Sequence, residues 1–401
     1  MLTVRRTDNS IVGRWWWTID RWSLLAIVLL IGLGVVLALA ASPAVADRLG
    51  LGSFHFVKRQ LVFALLALAL LGFASFLSPT GIRRLGILGF AVAVTALAVT
   101  TFIGVEVNGA RRWLEIGGFV LQPSEFIKPV LVVLVATILV TGPQRPKLST
   151  FALTIVPLGV VITLLLMQPD VGAAVLVVTV WLTQLFVAGL PLIWVAAIGL
   201  VGAMGAVVAY LTLPHVASRV DRFLDPAVGD SFQIETAREA FLHGGVLGRG
   251  PGEGVLKNVL PDAHTDFIFA VAGEEFGLIT GLLLLGLFAF VVLRCLSRAL
   301  QATSAFVMLA ATGLVVQFGL QAVINIGVNL DLMPTKGMTL PFISYGGSSL
   351  IGMALVIGMV LALTRLRVGE GGAIDVETPP AIAADARLTV GRRYSFGGIA
   401  P

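Results

Sequence analysis

Residues 23–41 read SLLAIVLLIGLGVVLALAA, nineteen residues without a charge. A helix needs about 20 such residues to cross the roughly 30 Å hydrocarbon core of a bilayer. Arg14 and Arg21 precede the run, and Ala44-Val45-Ala46 resembles a signal-peptidase site. The run is nevertheless longer than the h-region of a usual signal peptide, about 7–15 residues. It reads as a retained first membrane helix, with cleavage as the alternative. Trp15, Trp16 and Trp17 then fall where interfacial aromatics belong.

The pattern recurs along the chain. Of 401 residues 57% are hydrophobic and 12% charged, and the mean hydropathy is +0.99. That excludes an ordinary soluble domain. The hydropathy rule places ten spanning helices, at 23–42, 58–77, 83–104, 124–142, 150–168, 171–188, 191–213, 266–294, 303–330 and 345–365. The predicted fold class is an all-α polytopic membrane protein. It has a cytoplasmic segment 1–22, a membrane domain 23–366 with one long extracytoplasmic loop 214–264, and a disordered tail 367–401 rich in Ala, Gly and Pro. No internal repeat stands out.

A net charge of +5 does not imply nucleic acid, because the basic residues form no face. They sit at helix ends on alternate sides, the signature of membrane topology. Arg5, Arg6, Arg14, Arg21, Arg83, Arg84, Arg145, Lys147, Arg294, Arg298, Arg365 and Arg367 all fall on one side, which is then the cytoplasm and holds both termini. Arg111, Arg112, Lys58 and Arg59 break the rule, so these external cations need another use. The single Cys295 excludes an intrachain disulfide. Within 214–264, Asp230 with Gln233 reads as a capping box. Ile234, Ala237 and Phe241 make an apolar stripe, and Gly244-Gly245 a stop. A short amphipathic helix on the membrane or over a cavity is predicted there.

Three constellations can carry chemistry. In Pro261-Asp262-Ala263-His264-Thr265-Asp266-Phe267, Asp266 stands where the polar loop enters an apolar helix, with Glu274 and Glu275 deeper in that helix. A carboxylate at a membrane boundary can be a general base, a metal ligand or a proton carrier. It can equally cap the helix, as Thr265 can. Glu274 and Glu275 lie too deep for a cap, and their structural role is pairing with a buried cation or backbone group. Second, Asn108-Gly109-Ala110-Arg111-Arg112-Trp113 precedes Gln122-Pro123-Ser124-Glu125. Paired external Arg suit a phosphate or pyrophosphate. The alternative is pairing with Glu106, Glu115 or Glu125, or with lipid headgroups. Third, Pro334-Thr335-Lys336-Gly337-Met338-Thr339-Leu340-Pro341 runs into Ser344-Tyr345-Gly346-Gly347-Ser348-Ser349. So many breakers imply irregular backbone, tolerated in a membrane only against protein or a wet cavity. Lys336 and free amides there can hold an anion. A close helix contact through small residues is the alternative. The four His show no zinc-ligand spacing.

Taken together and in this order, these motifs, with Gln168-Pro169-Asp170, resemble the SEDS family (shape, elongation, division and sporulation), membrane glycosyltransferases that polymerise peptidoglycan. The resemblance covers about residues 15–366. Pro334-Thr335-Lys336-Gly337 is similar to division-type rather than elongation-type members. The resemblance implies lipid II as substrate, an inverting transfer that forms a β-1,4 glycan, and undecaprenyl pyrophosphate as leaving group. It implies Asp266 as the catalytic carboxylate. Arg111, Arg112, Lys257, Arg222, Lys336, Glu125, Ser344 and Ser348 are implied on the substrate, and Glu274, Glu275, Asp170, His264 and Thr265 in support. It implies no organic cofactor, but a divalent cation, Mg or Mn, that can join Asp266. Its expected partners are a class B penicillin-binding protein (an FtsI-like transpeptidase) and other divisome proteins at the septum of the inner membrane. A lipid II flippase is the rival reading, and it calls for polar residues through the full depth of the membrane. An elongation-type polymerase is the alternative within the family. A structural scaffold for the division machinery, a third reading, would leave Asp266 and the Arg pair unexplained.

Overall fold

The computed structural model describes residues 10–365 apart from 108, 109, 118, 142–147, 213, 215, 218–220, 222–231 and 334–336. Helix α1 is Ile11–Thr18 and α2 is Arg21–Arg48; α3 (His55–Phe76) and α4 (Pro79–Ile103) follow. Strands β1 (Val105–Val107), β2 (Ala110–Ile116) and β3 (Phe119–Leu121) precede α5 (Pro123–Val140), α6 (Leu148–Met167), α7 (Val171–Val187) and α8 (Leu192–Thr212). Then come α9 (Phe232–Gly244), α10 (Ile268–Leu300), α11 (Ala305–Asn329) and α12 (Gly347–Leu363). Eight of the described helices are long and apolar enough to cross a membrane, and α7 and α12 are shorter apolar helices. All ten predicted spans are therefore helical.

Helices α5, α11 and α12 form the centre of the bundle, with most of their residues buried. Helix α8 lies outside, its apolar residues exposed. Between helices in lipid, packing rather than water exclusion drives contact, and small residues allow it. At the N-terminal end, Asp20 caps α2 and takes a bidentate pair from Arg294, Nε at 2.7 Å and Nη2 at 2.9 Å, tying α2 to α10.

Two features depart from the sequence reading. The segment between α4 and α5 is an antiparallel sheet in the order β1-β2-β3, not a plain loop. The signal was present, because Asn108-Gly109 between alternating apolar residues is a strong hairpin cue. Second, α10 is broken at Gly277, whose φ of 77° is open to glycine. The break releases the carbonyls of Glu274 and Glu275 and the N–H groups of Leu278 and Ile279, partners in an unbroken helix. The chain at 245–250 takes all four. Arg249 N–H donates to Glu274 and Gly250 N–H to Glu275, while Leu278 N–H donates to Gly245 and Ile279 N–H to Val246. None of these four groups is stranded, which is what permits the break. Gly248 has to be glycine, since a Cβ there would lie 2.3 Å from the Glu275 carbonyl oxygen.

The helix predicted in the loop is α9. Thr236, Ala237, Ala240 and Gly244 form its buried face, shifted slightly from the predicted stripe, and Phe241 packs against Phe269 of α10, ring centroids 5.6 Å apart and tilted by 54°. Asp230 of the predicted capping box, Arg145, Lys147 and the tail 367–401 lie outside the described residues.

Candidate active site

A cavity of about 850 Å3 opens at the end of the bundle that carries α9. Its walls come from the start of α3, from β2, from the turn before α10, from α11 and from the chain at 337–349. Asp262, Thr265, Asp266, Arg59, Arg112 and Ser348 are among the groups that face it.

Asp266 is not the cap of α10. The cap position is Phe267, and no side chain of the turn bonds the helix start. The Asp266 carboxylate has no hydrogen-bond partner among the described residues and stands beside Gly337 across the cavity. Burial pushes its pKa up to about 7 from 3.8, helped by the negative charge of Asp262 and opposed by Arg112. Its main chain is firmly held by tertiary partners. Tyr345 N–H donates to the carbonyl of His264 (2.9 Å), and Ser344 Oγ donates to that of Thr265 (2.6 Å). The carbonyl of Asp266 also accepts two donors from α11. The His-Thr-Asp and Ser-Tyr motifs, some eighty positions apart, thus form one unit. His264 is buried between Phe56 and Tyr345, at 4.8 and 5.3 Å, and burial lowers its pKa to about 4, so it is neutral and apolar in effect.

The two adjacent arginines are separated by the strand that carries them. Side chains alternate along β2. Arg111 points away and pairs with Glu106 at 3.1 Å, both exposed. Arg112 faces the cavity, where Nε and Nη2 donate to the carbonyls of Gln168 (3.0 Å) and Pro169 (2.5 Å). The expectation that both hold substrate is corrected: only Arg112 is placed for it. Gln168 donates in turn to the Leu97 carbonyl at 2.8 Å, and Asp170 caps α7 through Ala173 N–H at 3.1 Å. Asp170 thus holds the start of α7 and does not line the cavity.

Lys257 is also corrected. It is buried, and its Nζ lies 2.5 Å from Glu275 and bonds the carbonyls of Ala40 and Gly252. It does not line the cavity. Glu274 accepts from Val255 and Leu256 N–H, and Glu275 from Gly252 N–H. Both acids tie down the loop that leads to Asp266, the structural role weighed for them. Glu125 is likewise withdrawn from the cavity. It pairs with Lys128 at 2.7 Å, and Lys128 bonds Gln321 at 2.9 Å, inside the bundle. Ser344 serves the turn, accepting Leu340 N–H at 2.8 Å, and does not line the cavity. Ser348 does, and it receives Gln122 N–H at 3.0 Å. Arg222 and Lys336 lie outside the described residues.

Several cavity groups were not selected as site residues. Arg59 stood out only as a breach of the charge rule, and it faces the cavity without an ion pair among the described residues. Asn325, Thr339 and Ser349 also line it. The clue to Asn325 is a run of amides at every fourth position of an apolar helix, Gln317, Gln321, Asn325 and Asn329.

Residues 21–368 match the cell cycle protein family of FtsW, RodA and SpoVE. A Caulobacter vibrioides protein named probable peptidoglycan glycosyltransferase FtsW is 47% identical over 369 residues, covering 92% of this chain and 95% of its own. Stage V sporulation protein E of Bacillus subtilis is 35% identical over 350 residues, covering 84% of this chain and 94% of its own. Among solved structures, a chain from work on a peptidoglycan synthase complex that coordinates polymerization and crosslinking has a TM-score of 0.74 at 30% identity, over 86% of this chain and 97% of that one. The rod shape determining protein RodA of Thermus thermophilus has a TM-score of 0.64 at 29% identity, over 86% and 96%. Profile, relatives and fold agree with the motifs: the chain belongs to the FtsW/RodA/SpoVE family of multi-pass membrane proteins, the SEDS family.

Proposed function

We propose that this chain is a peptidoglycan glycosyltransferase of the division type, which polymerises lipid II on the outer face of the cytoplasmic membrane. The observation that carries the reading is the Asp266 carboxylate, without a hydrogen-bond partner among the described residues, in the wall of a large cavity of mixed polar and apolar lining at the bundle's end. The acceptor hydroxyl loses its proton to Asp266 as its oxygen attacks the anomeric carbon of the donor. The bond from that carbon to undecaprenyl pyrophosphate breaks, and inversion follows from a single displacement. Arg112 and Arg59 supply the positive field for the leaving pyrophosphate. A carboxylic acid with a pKa near 7 is matched to proton transfer at neutral pH.

Among the described residues no group of three or more His, Cys, Asp or Glu gathers to hold a metal by itself, so a divalent cation here would need the substrate's phosphates as ligands. Asp262 and Asp266 line the same cavity, and Mg2+ is commonly held by one or two carboxylates with substrate phosphates completing its shell. Bound there, it would neutralise pyrophosphate charge. The likeness to a chain of a peptidoglycan synthase complex supports a class B penicillin-binding protein as partner, within the divisome at the septum.

The arginine assignment has a sharp test. Arg112→Gln is expected to lower polymerisation by about 10²-fold, the scale for a group facing developing charge. Arg111→Gln should change it by less than about two-fold, because it removes only an exposed ion pair and an exposed 3.4 Å hydrogen bond to the Phe102 carbonyl. Product ladders from purified protein with lipid II and its partner measure both, and equal losses would remove the distinction.

Orientation has its own test. Ser53 stands exposed near the Arg48–Leu260 contact of the cavity end, and Thr80 stands exposed at the opposite end. Ser53→Cys should react with impermeant maleimide in spheroplasts and Thr80→Cys should not, with little background from buried Cys295. The reverse pattern would put the cavity on the cytoplasmic side.

The flippase reading draws on the polar groups below the cavity, where Lys128, Gln184 and Gln317 surround a space. That space is only about 10 Å3, room for a single water and not for a disaccharide. Polymerisation in detergent, where there are no leaflets to cross, is the deciding assay. Inactivity of the well-folded protein with partner, metal and lipid II would favour the flippase.

A further inference from the structure

The four amides of α11 stand at successive turns on one face, and each is buried to within 2% exposure. Buried amides are costly unless bonded. Gln321 accepts from Lys128 and donates to the Thr339 carbonyl at 3.2 Å. Asn325 uses Nδ2 for two carbonyls at once, that of Asp266 at 2.9 Å and that of Met338 at 2.6 Å. Asn329 donates from Nδ2 to the same Asp266 carbonyl at 2.9 Å and accepts Ala270 N–H on Oδ1 at 3.1 Å. Helix α10 has no cap from its own turn, so Asn329 supplies one from a neighbouring helix.

The chemistry of these contacts is specific. Bridging two carbonyls requires two N–H donors on one group, which Asn has and Asp, Ser or Leu lacks. The amides are also neutral, so they fix the Asp266 main chain without adding charge beside its carboxylate. The carbonyl they grip belongs to Asp266 itself, two bonds from the atom that carries its side chain.

We propose that Asn325 and Asn329 are positioning residues for Asp266, Asn325 clamping its main chain to Met338 and Asn329 to the start of α10, so that the carboxylate faces the cavity at a fixed angle. The proposal rests on the reading of Asp266 as the base. A misplacement of about 1 Å can cost on the order of 10²-fold in rate. A group that only orients the base should affect turnover and leave donor binding nearly intact.

The experiment is initial-rate kinetics of the full chain in detergent with its partner, over a range of lipid II concentrations. Asn325→Leu is expected to lower kcat by about 10–10²-fold with KM changed less than about two-fold. Asn325→Ser keeps one donor and should recover part of the loss. Asn329→Ser, which keeps a short donor but loses the reach to both partners, should lower kcat by about 3–10-fold. The folded fraction is read by size exclusion, and rates are expressed per folded molecule. If Asn325→Leu does not yield folded protein, the two Ser variants decide. Unchanged kcat in the variants, a loss seen only as raised KM, or a loss explained by the folded fraction alone overturns the clamp. Asp266→Asn separates the two ideas. If it is inactive while the Asn variants are unaffected, only the clamp fails. If it retains activity, the base assignment fails and the clamp with it.

Discussion

Replacing Asp266 by Asn is expected to abolish glycan polymerisation while the protein stays folded in the membrane. Asn nearly preserves size and loses only the ability to take a proton, so the loss should be about 10²–10⁴-fold, the range for a general base. A capping role would predict little change, because Asn caps as well as Asp, and the Asp266 side chain bonds no helix N–H. The wild-type kcat/KM should rise with pH through about 7, where the carboxyl ionises. Stability runs the other way. The folded pKa lies above 3.8, so stability is fully present below that pH and declines as the pH rises to about 7. At pH 8 the ionised, partly buried carboxylate is unfavourable, and Asp266→Asn should melt no lower than the wild type. Near wild-type polymer on a gel, or a rate flat from pH 6 to 8, would sink the assignment.

Lys257→Met should be among the most destabilising single changes in the molecule. It leaves the Glu275 carboxylate, which is fully buried, without its cation. Breaking such a pair from one side costs about 3–5 kcal/mol. The damage should be local at first, since Glu275 and Glu274 hold the chain at 252–256 and that chain leads to Asp266. Activity should therefore fall before the bundle melts. Lys257→Met combined with Glu275→Gln removes both charges, and it should recover much of the lost stability. Thermal unfolding in detergent of the two singles and the double measures the coupling. If Lys257→Met melts with the wild type, or the double is worse than both singles, the pair is not what holds the loop. If Lys257 touched substrate instead, donor KM would rise with no change in melting.

Some parts of the site were open to direct reading and others were not. Asp266 was, because a carboxylate next to a long apolar run stands out against its surroundings. Ser348 and Arg112 were also found in the cavity. Lys257 and Glu125 were misplaced, because charge type in a sequence does not reveal a partner. Each is consumed by a buried counter-ion: the fold brings Glu275 to Lys257, whereas Lys128 stands three residues on from Glu125 in the same helix, a pairing that the spacing itself offered. Arg111 was misplaced for a different reason. As a loop, 105–121 gives two equivalent arginines; as a strand, it sends them to opposite sides.

The sequence by itself determined that this is a multi-pass helical membrane protein with a carboxylate where its long loop enters the bilayer. Those features follow from local physics, since hydrocarbon admits only long apolar helices and makes each stray charge conspicuous. Its motif order also pointed to the family. Only the tertiary structure decided which cations face the cavity, which acids are structural, and how α10 can break at Gly277. It alone brought Asn325 and Asn329 to the carbonyl of Asp266. Those outcomes depend on hydrogen bonds and ion pairs between distant segments, and they exist only once the helices have packed.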